Sequence, residues 1–393
     1  MKYGLCVDAA FRSSAGIERY TRELIRAILR EDRAADYLLI TSYPRRTRTL
    51  LHELAGDARR PLPGIAPSRL SPRLLPYAWS FLATPTLEQL TRQPLALAHN
   101  PTTIRIPTTA PSIVTVHDLY YSRHFRPRNL RQRLALMPQR EASAIRHSTH
   151  LIADSAHTKH DIVATYGTAP ERITVVPLGV DHARFRPVAD PEQTARVLHD
   201  HGITRPFILY AGSLYTRKLG LLPEAFAALA RKLAAPPPLL VIVGGREGLE
   251  KGGLTLQRRI AQLGIARSVI TTGIIPESDL IALMSAAELF VYPSYYEGFG
   301  LAPLEAMACG APIVTANTSS LPEVVGDAAL LADPRDTDAI AAALHQILTT
   351  PQLQHDLRQR SLRQAQRFSW TRTARETIAV YNTIAQSAIH TPR

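Results

Sequence analysis

The sequence predicts an α/β protein built from two domains, each a doubly wound parallel sheet. Short β-branched runs alternate with helical stretches from one end of the chain to the other. A proline- and acid-bearing stretch that runs to about residue 192 separates the two halves. A length of 393 residues leaves room for two cores of ordinary size.

In the first half, strands are expected at 3–8, 37–42, 95–99, 112–117, 149–154 and 173–177. In the second they are expected at 207–212, 239–244, 268–272, 288–292, 311–316 and 328–332. Helices fill the gaps, among them 16–30, 129–147, 156–166, 221–234, 255–264, 277–286 and 337–349. Such sheets bind ligands at the carboxyl ends of their strands. Residues 59–85 break the pattern with Pro, Leu and Arg around Trp79 and Phe81. Within them, 74–82 is either a short amphipathic element that touches a lipid or a long acceptor, or an ordinary packed loop. The expected domains are 1–186 and 187–370, with a last helix in 371–393 crossing back to the first domain.

Composition narrows the class. Hydrophobic residues make up 45% and charged residues 20%, as in soluble globular enzymes. No run approaches the roughly 18 apolar residues of a membrane span. The start lacks the features of a signal peptide, so a cytoplasmic protein is expected, with peripheral attachment to the inner face of the membrane as an option. Cys6 and Cys309 lie in apolar runs and read as buried thiols. The net charge of +13 is uneven: residues 1–186 hold 27 Lys and Arg against 15 Asp and Glu, and residues 187–393 hold 19 against 18. An arginine-rich half implies an anionic partner, whether nucleic acid, an anionic membrane or a phosphorylated substrate, or else a merely solvated surface. No recognition helix, zinc finger or aromatic-basic RNA motif supports nucleic acid.

The strongest chemical signal is Pro293-Ser-Tyr-Tyr-Glu-Gly-Phe-Gly-Leu-Ala-Pro-Leu-Glu-Ala-Met-Ala-Cys-Gly310. A strand ends at Pro293, and Gly298 and Gly300 let backbone approach a ligand closely. Pro303 suits a first helical turn and Gly310 a helix end. The loop therefore offers free N–H groups at a helix N-terminus, a site for a diphosphate. Glu297 and Glu305 carry carboxylates suited to the hydroxyls of a sugar and a ribose. Taken singly, Glu305 could simply complement the helix dipole and Glu297 be a loop charge.

This string resembles the glutamate–seven residues–glutamate motif of the retaining glycosyltransferase family 4. The resemblance extends to Tyr210-Ala-Gly-Ser-Leu-Tyr-Thr-Arg-Lys218, Gly273-Ile-Ile-Pro-Glu-Ser-Asp-Leu280 and Ser319-Ser-Leu-Pro-Glu-Val-Val-Gly-Asp-Ala-Ala329. Gly16-Ile-Glu-Arg-Tyr20, His117-Asp118, Ala153-Asp-Ser155 and Pro177-Leu-Gly-Val-Asp181 follow in family order. It covers essentially the whole chain. It implies the GT-B fold, two Rossmann-like domains facing a central cleft that closes on its substrates.

The resemblance also implies roles. Arg217 and Lys218 neutralise the leaving diphosphate, so no metal and no other cofactor is required. Gly16, Gly212 and Ser213 approach the phosphates, and Gly273, Ile274 and Ile275 form the base-binding turn. Gly298, Phe299, Gly300 and Leu301 hold the sugar through backbone N–H groups, Glu297 meets its ring, and Glu305 takes the ribose. His117 hydrogen-bonds the sugar or stabilises the reaction centre, while Asp118 orients His117 or faces the acceptor. Arg123, Arg126 and Arg128, with Arg131 and Arg133, cluster on the expected acceptor side. The chain departs from the family where Leu219-Gly220 replaces an Asn, where Ser13-Ser-Ala-Gly16 has lost a glycine pair, and at Ser213, which some members replace with Arg.

Two other motifs are set aside. Asp336-Thr-Asp338 has the Asp-x-Asp spelling of metal-dependent transferases but opens a helix after Asp333-Pro, and reads as a cap. Gly244-Gly-Arg-Glu-Gly248 lacks the dinucleotide spacing. The expected activity is retaining transfer of a hexose from a nucleotide-diphosphate sugar, with mannose from GDP-mannose preferred. The expected acceptor is a glycan or a polyprenyl-diphosphate-linked glycan of cell-surface polysaccharide or lipopolysaccharide. A nucleotide-sugar epimerase or phosphorylase of the same fold, and a basic nucleic-acid-binding protein, are the alternatives.

Overall fold

The structure is a computed structural model that describes residues 2–11, 15–32, 35–55, 63–67, 74–124, 137–233, 236–245 and 254–390. It divides into two compact units, Met1–Gly179 with Trp370–Arg393, and Val180–Ser369.

The first unit carries a seven-stranded sheet of β1 (Lys2–Cys6), β2 (Asp36–Thr41), β3 (Gly64–Pro67), β4 (Leu97–Asn100), β5 (Ser112–Val116), β6 (His150–Ala153) and β7 (Ile173–Val175). The order is β3-β2-β1-β4-β5-β6-β7, and every pairing is parallel. The second carries β8 (Phe207–Ala211), β9 (Leu239–Val243), β10 (Val269–Gly273), β11 (Leu289–Tyr292), β12 (Ile313–Ala316) and β13 (Ala329–Ala332). Its order is β10-β9-β8-β11-β12-β13, again parallel throughout. Helices cover both faces of such sheets, so central strands bury every residue. Phe207-Ile-Leu-Tyr-Ala211 and Leu239-Leu-Val-Ile-Val243 are buried along their whole length for this reason. In each sheet the winding direction reverses once, between β1 and β4 and between β8 and β11. These reversal points are where doubly wound sheets place ligands.

Three features differ from the sequence expectation. Strand β3 lies inside the irregular stretch 59–85, and its four residues Gly-Ile-Ala-Pro hold a single β-branched side chain, too little to read as a strand. Among the described residues it pairs only with β2, and an edge position tolerates Pro67. Next, 74–82 is helical, as Leu75–Tyr77 and a π-helical turn Ala78–Leu82. It is apolar on both sides rather than amphipathic: Leu75 and Trp79 are buried, while Leu74, Tyr77, Phe81 and Leu82 are exposed. Residues 59–62 and 68–73 of this stretch lie outside the described residues.

Lastly, the division falls at Gly179/Val180 rather than after Arg186. Val180 bridges Ser369, and His182 Nε2 lies 2.9 Å from the Phe368 carbonyl, so the chain enters and leaves the second unit at one place. The returning helix, Trp370–His390, packs in the first unit against Ala15–Glu31. Its Thr373 donates to the Pro177 carbonyl at 2.8 Å, and its buried Tyr381 hydroxyl lies 2.6 Å from His99 Nδ1.

Candidate active site

The second unit gathers its chemistry at the β8/β11 reversal point. After β8 the chain forms a turn of helix, Thr216–Leu219, that carries Arg217 and Lys218. After β11 comes the loop 293–300. The two are stitched together through Arg217. Its carbonyl accepts from the Tyr295 amide at 3.1 Å and from Ser294 Oγ at 3.2 Å, and its Nη1 donates to the Tyr296 carbonyl at 3.1 Å.

Lys218 Nζ then lies 3.0 Å from both oxygens of Glu297 and donates to Tyr292 Oη at 3.2 Å. Glu297 is buried, and Oε1 also accepts from Ser294 Oγ at 2.7 Å and from Tyr292 Oη at 3.1 Å. Burial alone would push this carboxyl up. The charges of Lys218 and Arg217 and the Ser294 hydrogen bond outweigh it, so Glu297 is held below the usual glutamate range. Buried Tyr210 and Tyr292 stack with ring centroids 5.8 Å apart and form a rigid wall beside the pair. Gly212 makes room for that wall, since a Cβ there would meet Tyr210 Oη at 3.1 Å and Tyr292 Cε2 at 3.2 Å.

The rest of the loop is fixed from below. Ser319 Oγ accepts from the Glu297 amide at 3.1 Å, and Ser320 Oγ donates to the carbonyls of Glu297 and Phe299 at 3.0 and 2.8 Å. Gly300 takes φ +112°, a conformation L side chains avoid, and a Cβ there would meet Leu321 Cδ2 at 2.8 Å. That turn starts the helix Leu301–Ala308. The first-turn amides of Leu301 and Ala302 have no intrahelical acceptor, and Pro303 has no N–H to orphan. Glu305 is buried in the same helix. Ser213 Oγ is buried without a hydrogen-bond partner among the described residues. Gly273 takes φ +73° at the end of β10, and Ile274 after it is 73% exposed. Asp336 caps the helix Thr337–Thr349 by accepting from the amides of Asp338 and Ala339, as its setting predicts.

In the first unit, His117 follows β5. Its Nδ1 lies 2.6 Å from Asp154 Oδ2, at the end of β6, and its Nε2 lies 3.0 Å from the Pro101 carbonyl, just past β4. The partner that orients the ring is therefore Asp154, while Asp118 Oδ1 accepts from the Tyr120 amide. With Asp154 ionised, both ring nitrogens face acceptors, an arrangement that the doubly protonated ring satisfies. Burial opposes that charge, but Asp154 and the Pro101 carbonyl raise His117 above the ordinary histidine value. Asp154 Oδ1 is buried without a hydrogen-bond partner among the described residues.

A group raised on folding stabilises fully below its unfolded value, about 6.5 for histidine, and this contribution fades as pH rises through the folded value. Glu141, buried and pushed up to about 7, adds a slope of the same sign. Burial pushes His99 down to about 3 and also lowers His150, which adds the opposite slope near pH 6 to 7. The test is therefore a difference: urea unfolding from pH 6 to 9 should show the wild type losing more stability with rising pH than Asp154→Asn. An unchanged profile in the variant would show that His117 is not held as the cation.

Gly16 sits in the helix Ala15–Glu31, and a Cβ there would meet nothing within 4 Å, so packing in its own unit does not require glycine. Arg123 Nη1 lies 2.6 Å from the buried Asp161, which ties it to the protein's own carboxylate. Arg126, Arg128, Arg131, Arg133 and Ser13 lie outside the described residues. Asp154, Tyr292 and Ser294 carry no assigned role in the sequence reading. Their signal is position, since each lies at or just past the carboxyl end of a central strand.

Comparison with known proteins identifies the family. Residues 193–364 match the family described as glycosyl transferases group 1, and residues 14–184 match glycosyltransferase family 4. The chain is 34% identical over 276 residues to O-antigen chain mannosyltransferase B of Escherichia coli, covering 69% of this chain and 70% of that one. Among solved structures, it is similar to a glycosyltransferase of Rickettsia africae, with TM-score 0.72, 18% identity and 98% of both chains covered. It is also similar to HepE of Anabaena in complex with UDP-glucose, with TM-score 0.72, 18% identity and coverage of 98% of this chain and 100% of that one. At such identities the structural matches establish the shared fold of two Rossmann-like domains, GT-B.

Proposed function

Because this chain belongs to glycosyltransferase family 4, and is thus a glycosyltransferase, we propose that it moves mannose from GDP-mannose, with retention and without a metal, onto a glycan or polyprenyl-diphosphate-linked glycan. The observation that carries this reading is the Lys218–Glu297 pair at the β8/β11 reversal point, flanked by Arg217 and by the Gly300 turn. The donor diphosphate takes the amides that open the helix Leu301–Ala308, and Lys218 and Arg217 neutralise it. Glu305 takes the ribose and the turn at Gly273 takes the base. The anomeric C–O bond breaks with its electron pair leaving on the phosphate oxygen. The acceptor hydroxyl bonds to the same face of that carbon, and its proton passes to the departing phosphate. Because this course is one substitution on one face, no carboxylate has to form a covalent intermediate. His117, charged and fixed by Asp154, supports the reaction centre electrostatically. The E. coli relative supports mannose as the sugar.

The arginine-rich first half and the exposed Leu74, Tyr77, Phe81 and Leu82 support an acceptor carried on an anionic membrane. Among the described residues no helix is long and apolar enough to cross one. Thermal unfolding in the presence of GDP, UDP, ADP and their sugars tests the donor. A ligand at a hundredfold its Kd adds about 2.7 kcal/mol of stability. GDP-mannose should raise Tm by several degrees. A shift with UDP sugars alone would replace mannose, and no shift with any nucleotide would remove the transferase reading.

A further inference from the structure

A small cavity of about 40 Å³ lies under the helical segment 75–82 and has no part in the chemistry above. Its polar lining includes Asp8, Thr41, Ser42, Asn100 and Thr102, and Trp79 is among its apolar walls. These polar residues end or follow β1, β2 and β4, so the cavity sits at the reversal point of the first sheet, where ligands bind in this architecture.

The hydrogen-bond accounting is incomplete there. Asp8 Oδ1 accepts from the Ser42 amide at 2.7 Å, and no hydrogen bond to Oδ2 is made among the described residues. Ser42 Oγ is buried and has no partner among them. Asn100 uses Oδ1 for Thr102 and one N–H for the Ile104 carbonyl, which leaves its second N–H. A roomier groove of about 960 Å³ lies at the other end of this sheet, beside the strand starts, and has no such orphaned group in its lining.

We propose that this cavity is a subsite for a hydroxymethyl group of the acceptor sugar, with Asp8 accepting from its hydroxyl and Ser42 donating to it; the inference rests on the transferase reading above. The volume fits one such group, since a single water-sized probe fills roughly 10–15 Å³. Among the described residues Asp8 is the only charged group in the lining, so the subsite they form favours a neutral hydroxyl over phosphate. The apolar walls, Ile40, Leu75, Trp79 and Ile104, suit the carbon of the same group.

Saturation-transfer NMR on the full chain tests this with methyl α-D-mannopyranoside and its 6-deoxy counterpart. The C6 protons should receive the strongest transfer, and the 6-deoxy sugar should bind at least tenfold more weakly. Asp8→Asn and Ser42→Val should each abolish the signal while GDP affinity, measured by calorimetry, stays unchanged. Undiminished signal in both variants, equal binding of the 6-deoxy sugar, or no transfer in the wild type because only water occupies the cavity would overturn the proposal. Absence of GDP binding by the wild type would instead count against GDP-mannose as the donor, and absence of binding by any nucleotide against the transferase reading.

Discussion

Lys218→Ala is expected to lower kcat by about 10³-fold with the fold retained. Removing a single oxyanion donor commonly costs roughly 10²–10³ in kcat, and a cation facing a departing diphosphate carries more than a neutral donor. The same change leaves Glu297 buried opposite no ammonium. Breaking a buried pair costs about 3–5 kcal/mol. The lysine side chain is 20% exposed, so the cost should be smaller here and appear as a drop of a few degrees in Tm. Lys218→Arg should recover only part of the activity, because a planar guanidinium does not reproduce the three contacts that Nζ makes. Steady-state kinetics with circular dichroism as the fold control would decide it. Turnover close to wild type in Lys218→Ala would remove the diphosphate role.

Glu297→Gln tests the other half of the pair and should cut kcat by about 10²-fold or more while also destabilising the second unit. The amide keeps the shape of the carboxylate but not its charge, and one acceptor becomes a donor. Ser294, Tyr292 and Lys218 all point donors at that position, so at least one polar group is left unsatisfied, at about 1–3 kcal/mol. The pH signature has a definite sign. Glu297 is depressed on folding, so its contribution is complete above the ordinary glutamate value of about 4.3 and fades as pH falls through the folded value. Urea unfolding between pH 3 and 6 should show the wild type losing stability on acidification more steeply than Glu297→Gln. Parallel curves would mean that the carboxylate is not held by Lys218.

Much of this arrangement was legible in the sequence because the physics behind it is local. Runs such as Leu289-Phe-Val-Tyr292 are apolar at every position, which only a strand covered on both faces needs. The string from Pro293 to Gly310 announces strand end, tight turn and helix start in order, and the structure places Gly300 at a φ that glycine alone adopts freely. What was not legible depends on distant pairing. Nothing near His117 marks Asp154 as its partner, because 37 residues and a strand crossover separate them. Strand β3 owes its existence to β2, not to its own Gly-Ile-Ala-Pro. The division at Gly179 depends on Val180 meeting Ser369 across almost the whole second unit.

The most direct measurement is a crystal structure of the full chain with GDP-mannose or its non-transferable phosphonate analogue. The diphosphate oxygens should lie within hydrogen-bond distance of Lys218 Nζ and of the amides around Leu301, with Glu305 on the ribose. A nucleotide bound away from the β8/β11 strand ends, with the Lys218–Glu297 pair untouched, would contradict the account.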